Sequence, residues 1–348
     1  MQVLVTGANG FIGCHLCQAL HDKGYAVKAL VRTTSDLRSL AKLEVDICYG
    51  DILQAETLEK AAQGCDFLFH VAGVFAYSGT PAHELINEAK RGIIHVLEAA
   101  SKARVKRVIL TSSSVTLGAD AKKNIRDELS TDTLDDATAY VMAKKMQEST
   151  AVEYAAQLGL DLVTVHPTLT VGGNDYGLTE SNHAIVSYLQ DPFKTTWIGG
   201  CNMVAVSDVA AGHILLAEKG KSGERYILGS ENLEWAEVHK LISQLCGLPG
   251  PYLKAYHTSA YLGSIFHEAL GFLTQQRPAS TREQARMVGN YYWYSHEKAA
   301  RLGYKPIPTK AALVKAISWL VASTHIPASV RASLQLSKEV FEYRALHP

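Results

Sequence analysis

The first half of the chain alternates between short, mainly apolar runs and longer stretches with a helical period. QVLVT (2–6), AVKALVR (26–32), VDICYG (45–50), FLFHVAG (67–73), RVILTSS (107–113) and LDLVTVHP (160–167) have strand length. FIGCHLCQALHDKG (11–24), ELINEAKRGIIHVLEAASKA (84–103) and residues 138–158 repeat apolar positions at three- and four-residue intervals, as helices do. Runs apolar at every position predict strands buried on both faces, and helices between them predict a parallel sheet wound by right-handed crossovers. The expected class is therefore α/β, a doubly wound parallel sheet with ligands at the carboxyl ends of its strands. After His166 the pattern changes. Residues 172–200, rich in Gly, Asn, Asp and Thr, are expected as loops over a pocket. NMVAVSDVAAGHILLAEKG (202–220) predicts a strand and then a helix capped by Ser207 or Asp208, and RYILGS (225–230) a further strand. This divides the chain into a sheet domain over 1–167, to which 202–225 returns, and a smaller, mainly helical domain from 168–201 and 226–348.

Composition narrows the function. The 348 residues are 47% apolar, enough for a full core, and Lys+Arg and Asp+Glu balance at 34 each without runs of one sign. Nucleic acid and polybasic membrane binding, which need clustered cations, are not expected. No basic and then apolar leader pattern precedes the first strand, and the six cysteines are scattered, so a reducing cytoplasm is expected. The greasiest run, HTSAYLGSIFHEALGFL (257–273), is interrupted by His257, His267 and Glu268. It predicts a buried or interfacial helix rather than a span, with peripheral membrane contact as the lesser reading. Cys14 and Cys17 sit one helical turn apart without a second ligand pair near them, so no metal is expected.

Candidate chemistry begins at TGANGFIG (6–13), where the first strand turns into the first helix. Gly7 permits a sharp turn, Gly10 clears space for a phosphate, and Gly13 lets helix and strand pack closely. Asn9, Gly10, Phe11, Ile12 and Gly13 then bring amides and the positive helix end to a dinucleotide pyrophosphate. The spacing is GxxGxxG. At the end of the second strand stands Arg32, where an acidic residue would favour NAD; a guanidinium favours a 2′-phosphate, hence NADP(H) over NAD(H). Asp51, followed by Ile52, is placed either to meet the adenine or to cap the next helix. Tyr140 and Lys144, four apart on a helix, share a face. An ammonium beside the phenol, and the positive ring of an oxidised nicotinamide, would lower its proton affinity. The run Thr111-Ser112-Ser113-Ser114 ends the fifth strand and offers a hydroxyl to the same substrate oxygen.

These motifs together resemble the extended short-chain dehydrogenase/reductase family. Asp51-Ile52, His70-Val71-Ala72-Gly73, His166-Pro167 and Val206-Ser207-Asp208-Val209-Ala210 resemble its further motifs. The resemblance, which runs from residue 1 to about 230, implies a Rossmann-type sheet and a catalytic set of Ser113, Tyr140 and Lys144. It also implies cofactor contacts from Val71, Ala72, Gly73, Thr111, His166, Pro167 and Thr168. Ala143 and Ala89 depart from the family's usual serine and asparagine. Pro167-Thr168-Leu169-Thr170-Val171-Gly172 looks closer to dihydroflavonol reductases and hydroxysteroid dehydrogenases than to epimerases. The expected activity is thus reduction of a hydrophobic aldehyde or ketone, or the reverse, with Phe75, Tyr77, Ser114, Thr170 and Tyr176 near the substrate. The alternatives are a nucleotide-sugar epimerase or dehydratase that retains NAD, and a non-catalytic NADP(H) sensor. A homodimer pairing helices 84–103 and 138–158 is expected.

Overall fold

The computed structural model describes residues 1–73, 81–131, 138–275, 278 and 280–347, without the side chains of 283 and 284. Strands β1 (Gln2–Thr6), β2 (Ala26–Val31), β3 (Asp46–Tyr49), β4 (Phe67–His70), β5 (Arg107–Thr111) and β6 (Leu162–Pro167) are joined through helices α1 (Phe11–Asp22), α2 (Ala55–Ala62), α3 (Ala82–Lys102) and α4 (Ala139–Leu158). Next come β7 (Leu169–Val171), α5 (Glu180–Gln190), β8 (Thr195–Trp197), β9 (Gly200–Ala205), α6 (Val206–Lys219) and β10 (Arg225–Leu228). They are followed by β11 (Glu231–Glu234), α7 (Trp235–Cys246), β12 (Leu253–Ala255), α8 (His257–Thr274), α9 (Arg282–Met287) and β13 (Tyr291–Tyr292). The last described helices are α10 (Glu297–Ala300), α11 (Thr309–Ala322), α12 (Ala328–Ser333) and α13 (Lys338–Leu346).

The main sheet is parallel, in the order β10-β6-β5-β4-β1-β2-β3. Its apolar runs are explained by two cores. Val3 and Val5 point to one face, against α1 and α6, while Leu4 points to the other, under α2 and α3. A strand covered on both sides has no polar position to alternate with. From β1 the chain builds outward to β3, then returns to β4 and builds the other way. The order reverses at β1 and β4, and reversal opens a crevice between the loops that follow these two strands.

Helix α4 carries the candidate tyrosine because of its capping. The Thr138 hydroxyl accepts from the Val141 N–H at 3.2 Å, and Gly159 ends the helix in the left-handed conformation. Tyr140 therefore lies in the first turn, beside the end of β5.

Two expectations fail. Residues 172–200 hold α5 and β8, not only loops. A turn-forming residue there tethers the start of α5: the Asp175 carboxylate accepts from Thr179 N and Oγ1 at 2.8 and 2.7 Å and from Asn182 Nδ2 at 2.9 Å. Neither Ser207 nor Asp208 caps α6. Its N-cap is Ala205, and Asp208 Oδ2 instead accepts from Ile307 N at 2.8 Å, tying the C-terminal segment down. A second sheet of β11, β9 and β13, with β7 on β9, lies over the core built by α5, α7 and α11.

Candidate active site

The glycine turn is as tight as its sequence requires. Gly7 has φ +66°, and a Cβ there would lie 2.7 Å from Ala72 Cα, in the loop after β4. At Gly13 a Cβ would meet the Gly7 carbonyl oxygen at 2.1 Å. Gly10 is the N-cap of α1 and brings no side chain to the helix start, so the first amides of α1 remain open towards the crevice. This is a cradle that fits a dinucleotide pyrophosphate. Gly7→Ala should store about 1–3 kcal/mol of backbone strain, read as a lower melting temperature together with weaker dinucleotide binding. Unchanged values for both would show that the turn does not need glycine.

Ser113, Tyr140 and Lys144 come together above the ends of β4 and β5. Ser113 is the N-cap of a short 3-10 turn (Ser114–Leu117) and is half-buried, whereas Ser112 and Ser114 are buried. Its hydroxyl shares a hydrogen bond with the Tyr140 phenol. Lys144 Nζ donates to Thr111 O at 3.0 Å and to Gln147 Oε1 at 3.1 Å. Gly73 leaves room for it, since a Cβ there would lie 3.4 Å from Nζ. Burial pushes the Lys144 ammonium down to about 8, against the Glu148 charge, which raises it. The sequence led us to expect the lysine to lower the phenol. Instead burial holds Tyr140 above its ordinary value, and the opposing influence is the Ser113 hydrogen bond.

Two buried networks hold this set, and their members on α4, Gln147 and Glu148, lie outside the motifs read from the sequence. Gln147 Nε2 lies 3.1 Å from His70 Nε2, and His70 Nδ1 lies 2.8 Å from Thr6 Oγ1, which also accepts from the Ala72 N–H at 3.3 Å. Burial, and then the Lys144 charge, push His70 down to about 3, so its ring is neutral. The lysine is thus linked through neutral groups to the glycine turn. In the second network Glu148 Oε2 accepts from Ser112 Oγ at 2.5 Å, Thr116 Oγ1 at 3.2 Å and His166 Nε2 at 3.0 Å. Arg225 Nε stands 2.7 Å from Oε1, off the line of a hydrogen bond. Burial alone would raise the Glu148 carboxyl, but His166, Ser112 and Arg225 outweigh it and hold it at about 2. Glu148 grips the residues on both sides of Ser113. The signal that would have found it is spacing: 140, 144 and 148 lie on one helix face.

The other expected residues separate. Arg32 is exposed at the end of β2. Asp51 Oδ1 accepts from Leu53 N at 2.9 Å, a turn-capping contact ahead of α2. The His166 ring is buried against Glu148, and Nδ1 has no hydrogen-bond partner among the described residues. Thr168 Oγ1 donates to Asn202 Oδ1 at 2.9 Å, and Thr170 Oγ1 to Thr168 O at 2.9 Å; both side chains are buried. Tyr176 packs edge-on to Trp319 and under the Arg38 guanidinium, on the segment whose Ser39 hydroxyl donates to Asn9 O. That puts it at the β2 side of the crevice. Phe75 and Tyr77 lie outside the described residues. Among the described residues no group of His, Cys, Asp or Glu could hold a metal ion.

The chain is 32% identical over 325 residues to a Synechocystis sp. protein named "Putative dihydroflavonol 4-reductase", covering 90% of this chain and 93% of that one. It is 29% identical over 346 residues to cinnamoyl-CoA reductase 1 of Petunia hybrida, covering 93% of each. The crystal structure of gox2253 matches with a TM-score of 0.80 at 30% identity, over 93% of this chain and 99% of that one. Residues 3–229 match the model of the NAD dependent epimerase/dehydratase family, and the chain belongs to that family.

Proposed function

We propose that this protein is an NADP(H)-dependent reductase that converts a carbonyl group on a hydrophobic small molecule to an alcohol, or catalyses the reverse. The observation that carries the reading is the Ser113–Tyr140 hydrogen bond at the strand ends, with Lys144 fixed one turn further along α4. When bound, the reduced nicotinamide supplies the hydride. Tyr140 and Ser113 hold the carbonyl oxygen, and the Tyr140 phenol gives it a proton. Burial favours the protonated phenol, which suits a donor. Lys144, anchored on Thr111 O, is positioned to meet the nicotinamide ribose hydroxyls. The names of the reductases to which this chain is similar support this reading.

An epimerase of nucleotide sugars would need cations for a diphosphate. Between residues 168 and 201 the sequence offers only Lys194, and its Nζ donates to Tyr188 O and Leu189 O at 3.3 and 2.9 Å. The smaller domain carries Arg277, Arg282 and Arg286; Arg282 pairs with Glu268 at 2.6 Å, Arg286 is exposed, and Arg277 lies outside the described residues. The deciding experiment is purification followed by cofactor analysis and turnover. Exchangeable NADPH with reduction of hydrophobic aldehydes or ketones is expected; tightly retained NAD with sugar-nucleotide interconversion would overturn the reading.

The preference for NADP(H) rests on Arg32. A charge-assisted contact is worth about 1.5–3 kcal/mol. Arg32→Ser should therefore weaken NADPH binding by roughly ten- to hundredfold, with little change for NADH. Equal losses for both would assign Arg32 to the adenine instead.

A further inference from the structure

Helix α8 is built inside out. Three polar side chains in its middle turn away from the apolar stripe: Ser264 is buried, His267 Nδ1 lies 2.8 Å from Ser280 Oγ, and Glu268 takes both the backbone N–H and the Nε of Arg282, at 2.7 and 2.6 Å. Its apolar side chains face outward. Leu262 is 63% exposed, Ile265 44%, Phe266 65%, Leu270 46% and Leu273 77%. Together with exposed Ala269 they follow the spacing i, i+3, i+4, i+7, i+8, i+11, which is one continuous stripe. Single exposed apolar residues are ordinary, but a contiguous stripe marks a surface that something apolar covers. A helix whose apolar side belonged to the core would show His267 and Glu268 fully to water; here both are partly covered and paired with Ser280 and Arg282.

We propose that α8 seats this protein on a bilayer surface containing anionic lipid, with the helix axis in the plane of the interface. Three observations select this occupant. The stripe occupies one face only, and no described helix is long and apolar enough to cross a membrane, so the helix has the build of one that lies in the interface. Tyr252 and Tyr256, 63% and 59% exposed, stand at its N-terminal end, the kind of amphipathic ring that settles at headgroup level. The segment that carries the helix has a cationic excess. Lys254 before the helix and Arg286 after it are exposed, and residues 250–290 carry four basic against two acidic residues in a chain of zero formal charge. A surface of anionic headgroups complements these cations.

The test is flotation of the full chain with vesicles, read without turnover, so that it stands or falls independently of the reductase reading. Wild-type protein should float with vesicles of equal phosphatidylcholine and phosphatidylglycerol, less with phosphatidylcholine alone, and less again at high salt. The double variant Phe266→Ser/Leu270→Ser should lose at least about tenfold in partitioning, with an unchanged melting temperature and NADPH affinity. The double variant Lys254→Glu/Arg286→Glu should lose the preference for phosphatidylglycerol while still binding. Failure of the wild type to float with either vesicle would overturn the proposal. So would a wild-type dimer that the stripe variant converts to monomer without any vesicle binding, because a second copy would then be what covers the stripe.

Discussion

Tyr140→Phe should lower kcat for carbonyl reduction by about 10²–10⁴-fold, the range that a positioned general acid contributes, while NADPH affinity stays essentially unchanged. The phenylalanine keeps the ring and its packing and removes only the proton donor. Ser113 would still hold the carbonyl oxygen, so adding Ser113→Ala should cost less in the Tyr140→Phe background than in the wild type, as groups that act as a unit do. The environment of the phenol also fixes the direction of pH dependence. Burial raises Tyr140 above its ordinary value of 10, so it stays protonated through the neutral range and reduction needs no prior ionisation of it. The reverse oxidation needs the phenolate and should speed up as pH rises. Steady-state kinetics in both directions, with cofactor titration, test this. Turnover unimpaired in Tyr140→Phe would remove the phenol from the mechanism.

The parts of this structure that were legible from sequence share a physical cause. Strand β1 could be read because Val3, Val5 and Leu4 serve two different cores, which leaves no polar position in the run. The glycine turn could be read because an added Cβ would collide with Ala72 or with the Gly7 carbonyl, so the residue type is dictated by contact. Helix α5 was hidden for the opposite reason: Asp175 and Thr179, which look like loop residues, bond to each other and tether its start. The inner face of α4 was half legible. Tyr140 and Lys144 stand out, but Gln147 and Glu148 look like an ordinary solvated helix until burial is known, since nothing in composition tells a buried polar face from a wet one. For the same reason the sequence did not show that burial, rather than Lys144, sets the Tyr140 phenol. Two of the three donors of the Lys144 ammonium are held by Thr111 O and Gln147, partners that come from an element distant in the chain and from that polar face.

Glu148→Gln is the variant that tests the buried face as a positioning device. The amide oxygen of Gln can keep the bonds from Ser112, Thr116 and His166, but its NH₂ group then faces the Arg225 guanidinium, so one donor is left against another. An unsatisfied buried group costs about 1–3 kcal/mol, and the half-exposed Arg225 puts the loss at the lower end of that range. The loss should depend on pH with a definite sign. Glu148 is depressed from its ordinary 4.5 to about 2, so its contribution is complete above 4.5 and disappears as pH falls through about 2. Wild type and variant should therefore differ in melting temperature at neutral pH and converge in acid. Activity gives the reading that a purely structural role would not. The Glu148 charge is what holds Lys144 up against burial. In the wild type, reduction should fall on the alkaline side with a midpoint about 8, where Lys144 loses its proton, and in Glu148→Gln that limb should move to lower pH. A variant that melts earlier but keeps the wild-type alkaline limb would confine Glu148 to packing and leave Lys144 to be set by burial alone.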